Sequence, residues 1–355
     1  MTDRENFLSI AHRKGFERIP LDFNLCPVLR QKFDAYLAEH PEEKLNFYCS
    51  QMPGIPETHT APEVFLKKYY PHKSFKAGTS IDIWGVGHEP GSPAAFHMTY
   101  MHHPMEDFDS VEQIMEYPFP VFHTEDISEM KKQADALHSA GRPVMGSMQC
   151  TVWETAWYLR GMENLMCDMM AEDEIATALL DKVTDLAVAR ARAYTEAGAD
   201  AVFLGDDIGM QYTIMMSKSL YGEWLQPRLK RVTDAIHGAN PDTIIFYHSC
   251  GHVTELIPQL IEAGIDVRDP VQPECMDFRE IHDTYGDRLS FHGTIGTQSV
   301  MPFGTPEEVR QKVFENLDIA GDHGGLFVCP THMVEPEVPL ENLLAYIRAC
   351  REYTA

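Results

Sequence analysis

The sequence predicts an α/β protein, a (β/α)8 TIM barrel with N-terminal helical and loop insertions over the barrel mouth. Short β-like runs alternate with amphipathic helical stretches through the C-terminal two-thirds of the chain, as expected for parallel βαβ units. Two further β-like runs in the N-terminal third bring the total to eight, the number that closes such a barrel. A chain of 355 residues, 44% of them hydrophobic, can bury the large core that this fold requires.

The predicted strands are short apolar runs, and most of them end in polar residues. In chain order they cover residues 19–25, 81–85, 142–149, 199–206, 243–247, 265–272, 289–293 and 325–329. Runs of this length and composition are typical of strands that are buried on both faces of a parallel sheet.

Ala, Leu and Val at helical spacing predict helices between the later strands. These helices cover residues 172–197, 218–237, 253–263, 305–319 and 339–353. Thr305 precedes Pro306, and Pro339 opens the last stretch, which are residues favoured at helix starts.

Residues 40–80 and 88–125 have a different composition, rich in Pro, His, Met and Tyr and poorly periodic. We interpret this part, residues about 40–125, as insertions that cover the barrel mouth. Because α/β barrels often reach this length as one unit, we expect residues 1–355 to form a single domain.

The charge balance excludes one class of function. The chain has 54 acidic and 29 basic side chains, a formal net charge of −25, and such a surface repels nucleic-acid backbones. It contains no run of about 18 uncharged apolar residues, and its N-terminus lacks the apolar segment of a signal peptide. We therefore expect a cytoplasmic protein that contacts neither nucleic acid nor membrane.

The cysteines are scattered without the spacing of a disulfide framework. They are Cys26, Cys49, Cys150, Cys167, Cys250, Cys275, Cys329 and Cys350. In a cytosolic chain this pattern predicts free thiols, most of them serving as small buried hydrophobic residues.

Polar residues gather at the predicted C-terminal ends of the strands, where barrel enzymes have their active sites. These residues are Asp22, Asn24, Asp206, Asp207, Tyr247, His248, Cys250, Gln272, His292, Cys329 and His332. Helix capping and turn formation account for one or two such strand ends, but not for five together.

His248 and Cys250 form the most specific pattern in this set. Two residues apart at a strand end, their side chains can reach one ion, and Cys329 or His332 from the last strand would complete a three-ligand catalytic zinc site. The alternative is a buried Cys250 under its loop, with His248 bonded to a carboxylate. Zinc held by thiolate binds substrate sulfur or oxygen as a Lewis acid, which suits alkyl transfer.

Several segments together resemble the uroporphyrinogen decarboxylase superfamily over nearly the whole chain. They run from Arg4 to Leu8, Arg18 to Pro20, Gly205 to Gly209, His248 to Gly251, Ile265 to Val267, Pro270 to Pro273, His292 to Gly296, Pro330 to His332 and Pro336 to Asn342, with Ser217 and Pro227 between them.

The resemblance favours one of the two main activities of that superfamily. Its decarboxylases carry an arginine-rich segment after the first strand, whereas residues 21–30 here contain a single arginine, Arg30, and an acid, Asp22. Its zinc-dependent corrinoid methyltransferases carry an HxC pair, which His248 and Cys250 match, and a later cysteine. Counting back from Pro336, Pro339 and Asn342 puts that later position at His332, three residues after Cys329, so both remain candidate ligands.

The resemblance thus implies a zinc-dependent methyltransferase. It would move a methyl group between a small methylated substrate (an O- or S-methyl compound such as a methyl ether), or a thiol, and the corrinoid cofactor of a partner protein, in the manner of methylcobalamin. Asp206, Asp207 and His292 would orient the substrate or support the zinc ligands, and Asp22, Asn24, Tyr247 and Gln272 would bind substrate.

Two alternatives remain: a metal-free decarboxylase of the same fold, and a non-catalytic barrel that binds a corrinoid protein. The sequence leaves open the methyl donor, the direction of transfer and whether the chain forms a homodimer.

Overall fold

The computed structural model describes residues 1–43, 45–92 and 99–353. In this part of the chain the strands are β1 Ser50–Gln51, β2 Glu57–Thr58, β3 Ser80–Ile81, β4 Gly87–Pro90, β5 Thr99–His102, β6 Val121–Phe122, β7 Val144–Gln149, β8 Ala201–Gly205, β9 Ile244–His248, β10 Val267–Asp269, β11 Ser290–His292 and β12 Leu326–Phe327. The helices are α1 Asp3–Ala11, α2 Pro27–Glu39, α3 Pro62–Tyr69, α4 Val111–Met115, α5 Ser128–Ser139, α6 Trp153–Arg160, α7 Met162–Met170, α8 Glu174–Glu196, α9 Lys218–Trp224, α10 Gln226–Ala239, α11 Ile257–Ala263, α12 Phe278–Tyr285, α13 Val300–Phe303, α14 Pro306–Ala320 and α15 Leu340–Glu352.

A parallel sheet of seven strands, in the order β1-β7-β8-β9-β10-β11-β12, forms the body of the barrel. The segment 19–25 closes it, because Leu21 pairs with Phe47 on one side and Leu25 pairs with Val334 on the other, both in parallel. The predicted α/β barrel is therefore confirmed.

One predicted barrel strand is wrong. Of residues 81–85, only Ile81 belongs to a strand, β3, which is an edge strand of a small antiparallel sheet formed by β3, β4 and β5 outside the barrel, and residues 82–85 lie in the connection to β4. The barrel position belongs to β1, where Ser50 pairs with Val144 and Gln51 with Met145. This strand has no apolar run of its own, and it is held by buried neighbours such as Tyr48 and Met52.

The predicted insertions contain the β3-β4-β5 sheet, the β2-β6 pair and the helices α3 and α4. Lys44 and residues 93–98 of this part lie outside the described residues. That the whole chain forms a single domain remains a prediction.

The helices follow the predicted pattern with one division. The stretch predicted at 218–237 is two helices, α9 and α10, because Pro227 stands in the first turn of α10 and cannot donate a backbone hydrogen bond to α9. The longest, α8, is capped by Asp173, the residue before its first turn, whose side chain accepts from the amide of Ile175. No helix in the described ranges is long and apolar enough to cross a membrane.

Helix α1 covers the N-terminal end of the barrel. A capping box between Thr2 and Glu5 starts this helix, and it places Phe7 and Ile10 against the barrel interior. Phe7 lies 5.2 Å from Phe327 and 6.1 Å from Phe246, measured between ring centroids. The interior is thus a packed core, and the polar strand ends at the opposite side are left to form the site.

Candidate metal centre

Three consecutive strands bring polar side chains together at the C-terminal end of the barrel. β9 ends at His248, β10 at Asp269 and β11 at His292. The register pairs His248 with Gly205 of β8 on one side and with Asp269 on the other. A Cβ atom on Gly205 would lie 2.6 Å from Cβ of His248, so only glycine allows this close approach.

One group of possible ligands, which we call the mouth group, consists of Asp207, His248 and Cys250. His248 Nε2 lies 3.4 Å from Cys250 Sγ and 3.7 Å from Asp207 Oδ1. The amide of Cys250 donates to the same Asp207 oxygen over 2.7 Å, which fixes the loop after β9. One atom from each residue lies within 4.8 Å of the other two, close enough for a single metal ion.

A second group, which we call the inner group, consists of Asp22, His292 and Cys329. His292 Nε2 lies 2.9 Å from Asp22 Oδ2 and 3.4 Å from Cys329 Sγ. Its three ligand atoms also fall within 4.8 Å of one another. Cys329 therefore lies with His292, and the structure does not place it in one group with His248 and Cys250.

Asp269 joins the two groups. Its two carboxylate oxygens lie 2.5 Å from Nδ1 of His248 and 2.5 Å from Nδ1 of His292. Sequence reasoning missed this residue because the predicted strand continued to Gln272, which placed Asp269 inside the strand and not at its end. Pro270, which cannot donate a hydrogen bond to a sheet, is the signal that could have ended the strand at Asp269.

The pKa shifts in the site follow from the position of Asp269 between His248 and His292. Burial raises the pKa of Asp269, but the adjacent His292 and His248 outweigh burial and hold the pKa below its usual value. Burial lowers the pKa of His248, but the charges of Cys250 and Asp269 outweigh it and raise the pKa well above the usual value. Burial also raises the pKa of the Cys329 thiol to about 11. A neighbouring positive charge therefore stabilises the thiolate forms of Cys250 and Cys329.

A cavity of about 620 Å³ opens above both groups. Asp22, Asn24, His248, Asp269, His292 and His332 are among its lining residues. A second cavity, of about 570 Å³, shares His248 and His332 with it and extends to Asp207, Glu154 and Trp157. These volumes are in the range of pockets for small molecules.

His332 lies at the mouth but not in either compact group. Its ring centroid is 6.4 Å from that of His248, and the two side chains line the same cavities. Asp207 is therefore the candidate third ligand that lies nearest to His248 and Cys250, and His332 is a more distant candidate.

Two predicted site residues, Asp206 and Gln272, have supporting positions instead. Asp206 is buried and accepts from the amides of Val152 and Glu154 at the start of α6, and burial raises its pKa to about 8. Gln272 accepts from the amide of Gly251 and so holds the Cys250 loop.

Tyr247, by contrast, is 2% exposed and packs in the layer between strands and helices. Neither Tyr247 nor Gln272 is among the residues that line the two cavities, so substrate binding by these residues stays a prediction.

Glu154 and Tyr158 were not singled out from the sequence. The Tyr158 hydroxyl donates to the Glu154 carboxylate over 2.9 Å, and both residues line the second cavity. Burial and the nearby Asp207 raise the pKa of Glu154. Both residues are on α6, within a helix rather than at a strand end, so the strand-end test could not find them.

Comparisons with known proteins are consistent with this geometry. The family described as uroporphyrinogen decarboxylase (URO-D) matches residues 102–353. The chain belongs to this family. Among solved structures, a methyltransferase from Methanosarcina mazei superposes over 100% of both chains with a TM-score of 0.68 at 15% sequence identity, which supports the fold.

The similar curated proteins include two kinds of enzyme. A methylated-thiol–coenzyme M methyltransferase of Methanosarcina mazei is 28% identical over 64% of this chain and 56% of its own length. A methylcobamide:CoM methyltransferase of Methanosarcina barkeri is 26% identical over 60% of this chain and 59% of its own length. A uroporphyrinogen decarboxylase of Pelodictyon phaeoclathratiforme is 24% identical over 53% of this chain and 52% of its own length. The chain thus spans between half and three-fifths of the length of these three relatives.

Proposed function

We propose that this protein is a zinc-dependent methyltransferase that moves a methyl group between a small thiol, or a methylated compound, and the corrinoid of a partner protein. The observation that carries the proposal is the mouth group, in which a thiol, an imidazole and a carboxylate meet beside an open cavity. The methyltransferases among the similar proteins support the same reading.

The donor set of the mouth group fits zinc. Cysteine sulfur, histidine nitrogen and aspartate oxygen are the three ligand types that zinc takes in proteins, and catalytic sites keep one position open. His248 and Cys250 would hold the ion, with Asp207 or His332 as the third ligand. When bound there, zinc would lower the pKa of a substrate thiol or polarise an ether oxygen.

The surrounding residues of the chain would hold and orient both the ligands and the substrate. Asp269 accepts from Nδ1 of His248, which keeps Nε2 directed at Cys250 and Asp207. Tyr158 and Glu154 provide a hydroxyl and a carboxyl on the cavity wall for a polar group of the substrate. Trp157 and Met215 add apolar surface there that excludes water from a small methyl-bearing group.

The corrinoid would come from outside the chain. The cavities, of about 620 and 570 Å³, suit a small substrate, so the methyl carrier must approach the open mouth on another protein. In the thiol direction the thiol would lose its proton to water and its sulfur would take the methyl group, while the corrinoid would keep the electron pair of the broken carbon–cobalt bond. The demethylating direction would reverse these changes. A cytoplasmic location is part of the same proposal.

The test is turnover with added corrinoid. With methylcob(III)alamin and a small thiol, or with cob(I)alamin and a methylated donor, the wild-type protein should change the visible spectrum of the corrinoid. Cys250→Ala should lose this activity together with its zinc. Cys167→Ala is the matched control, because Cys167 is exposed and lies outside both groups.

Two results would contradict the proposal. One is corrinoid-dependent turnover that survives unchanged in a folded Cys250→Ala variant. The other is release of carbon dioxide from a porphyrinogen or another acid without any corrinoid, which would establish the decarboxylase alternative.

A further inference from the structure

The inner group repeats the composition of the mouth group at a place where the proposed reaction needs no ligands. Each group has one aspartate, one histidine and one cysteine. In the inner group the three residues come from different parts of the barrel: Asp22 from the closing segment, His292 from the end of β11 and Cys329 from just after β12. Their convergence is thus a product of barrel closure.

The orientation of His292 is that of a metal ligand. Metal-ligating histidines usually donate their second ring N–H to a carboxylate, which fixes the tautomer and aims the other nitrogen at the ion. Asp269 lies 2.5 Å from Nδ1 of His292, and Nε2 lies 2.9 Å from Asp22 Oδ2 and 3.4 Å from Cys329 Sγ. Asp269 holds His248 in the same way for the mouth group.

The ligand types of the inner group suit a divalent cation. Two carboxylates, Asp22 and Asp269, contact one imidazole, and a thiol lies beside it in a region where Cys329 is 1% exposed. A protonated imidazole supplies a single positive charge, whereas a divalent ion also ligates the carboxylate and the thiolate directly.

We propose that Asp22, His292 and Cys329 form a second divalent-metal site, of the zinc class, beside the mouth group. Aspartate oxygen, histidine Nε2 and cysteine Sγ are zinc donors, and three protein ligands leave a position for another atom. Asp22 and His292 also line the 620 Å³ cavity, so an ion held by them borders the space where the substrate would bind. It would take a second heteroatom of that substrate or a water molecule.

Metal stoichiometry tests the proposal directly. Protein purified without chelators and saturated with Zn²⁺ should hold two ions per chain, measured by elemental analysis after removal of free metal. Cys250→Ala and Cys329→Ala should each retain one ion, and the double variant should retain none. Cys350→Ala should keep both, because Cys350 is also buried but belongs to neither group.

Cobalt(II) provides a second readout, which Cys329→Ala would not change if Cys329 had a purely structural role. Loading with Co²⁺ should give thiolate-to-cobalt absorption for two thiols in the wild type and for one thiol in Cys329→Ala. If Cys329→Ala does not fold, Asp22→Asn serves instead: its side chain is 29% exposed, and the variant should lose the second ion while retaining the first.

The outcomes separate this proposal from the proposed function. A wild-type protein with one ion that disappears only in Cys250→Ala overturns the second site and leaves the mouth group standing. If the wild type holds one ion and only Cys329→Ala loses it, the ion binds at the inner group. The proposed reaction would then have no zinc at the mouth group. A wild-type protein that binds neither Zn²⁺ nor Co²⁺ overturns both.

Discussion

The mouth group and the inner group contain the same residue types and share Asp269, but they differ in their surroundings. In the mouth group Cys250 is on a loop after β9, and the Asp207 side chain is 40% exposed. In the inner group Cys329 and His292 are 1% and 5% exposed. The same ligands are therefore accessible at one place and enclosed at the other. Accessible ligands suit rapid exchange of substrates, and more enclosed ligands suit an ion that exchanges slowly.

The largest expected difference is in thiol reactivity. Because burial raises the pKa of Cys329 to about 11, only about one in a thousand of these thiols is ionised at pH 8. In metal-free protein we expect Cys329 to react with iodoacetamide at least about a hundredfold more slowly than an ordinary thiol of pKa about 8.5. Its rate should rise about tenfold per pH unit up to that pKa, since the thiolate is the reacting form.

Peptide mapping by mass spectrometry after timed alkylation measures these rates. Exposed Cys167 provides an internal reference in the same sample, and Cys250 should be modified before Cys329. Equal rates for Cys250 and Cys329 in folded protein would remove the distinction between an accessible and an enclosed group.

The next effect concerns the residue that the two groups share. Asp269→Asn removes the charge that both imidazoles contact, so zinc affinity at the mouth group should fall about 10- to 100-fold. Breaking a buried ion pair in this way should also lower the free energy of unfolding by about 3–5 kcal/mol. Competition with a chromophoric chelator and urea unfolding measure the two effects. Asp287→Asn, at an 80% exposed side chain, should change neither.

The smallest expected effect identifies the third ligand at the mouth. If Asp207 is that ligand, Asp207→Asn should weaken zinc binding by about tenfold and His332→Ala should leave it within about threefold. Cys329→Ala should not weaken zinc binding at the mouth group, because Cys329 lies with His292. The opposite ranking of Asp207→Asn and His332→Ala would assign the position to His332, in agreement with the count from Pro336.

The sequence predicted the barrel well where strands are apolar runs between amphipathic helices. β7 to β12 all fall within predicted runs or overlap them, because each is bounded by an amphipathic helix. It failed at β1, where Ser50 and Gln51 carry no apolar pattern and the pairing depends on β7. The run 81–85 has the short apolar pattern of a barrel strand, but only Ile81 pairs in a sheet, and residues 82–85 form the connection from β3 to β4.

The candidate site was predictable in composition but not in pairing. His248, Cys250, His292 and Cys329 were each visible at strand ends. Which thiol lies beside which imidazole is decided by the register between β9, β10 and β11 and by closure through residues 19–25. Spacing along the chain contains no such information, so it left Cys329 and His332 as alternative third ligands beside His248, whereas the observed neighbour of Cys329 is His292.

The single carboxylate between the two imidazoles makes the two ligand groups energetically dependent on each other. A cation bound beside His292 attracts the same Asp269 carboxylate that orients His248. It therefore weakens the interaction between that carboxylate and the His248 imidazole. Such coupling is reciprocal, and each group changes the affinity of the other by the same factor. Cation binding to the barrel mouth would then be anticooperative, with a Hill coefficient below one, and replacing Asp269 would make the two affinities independent.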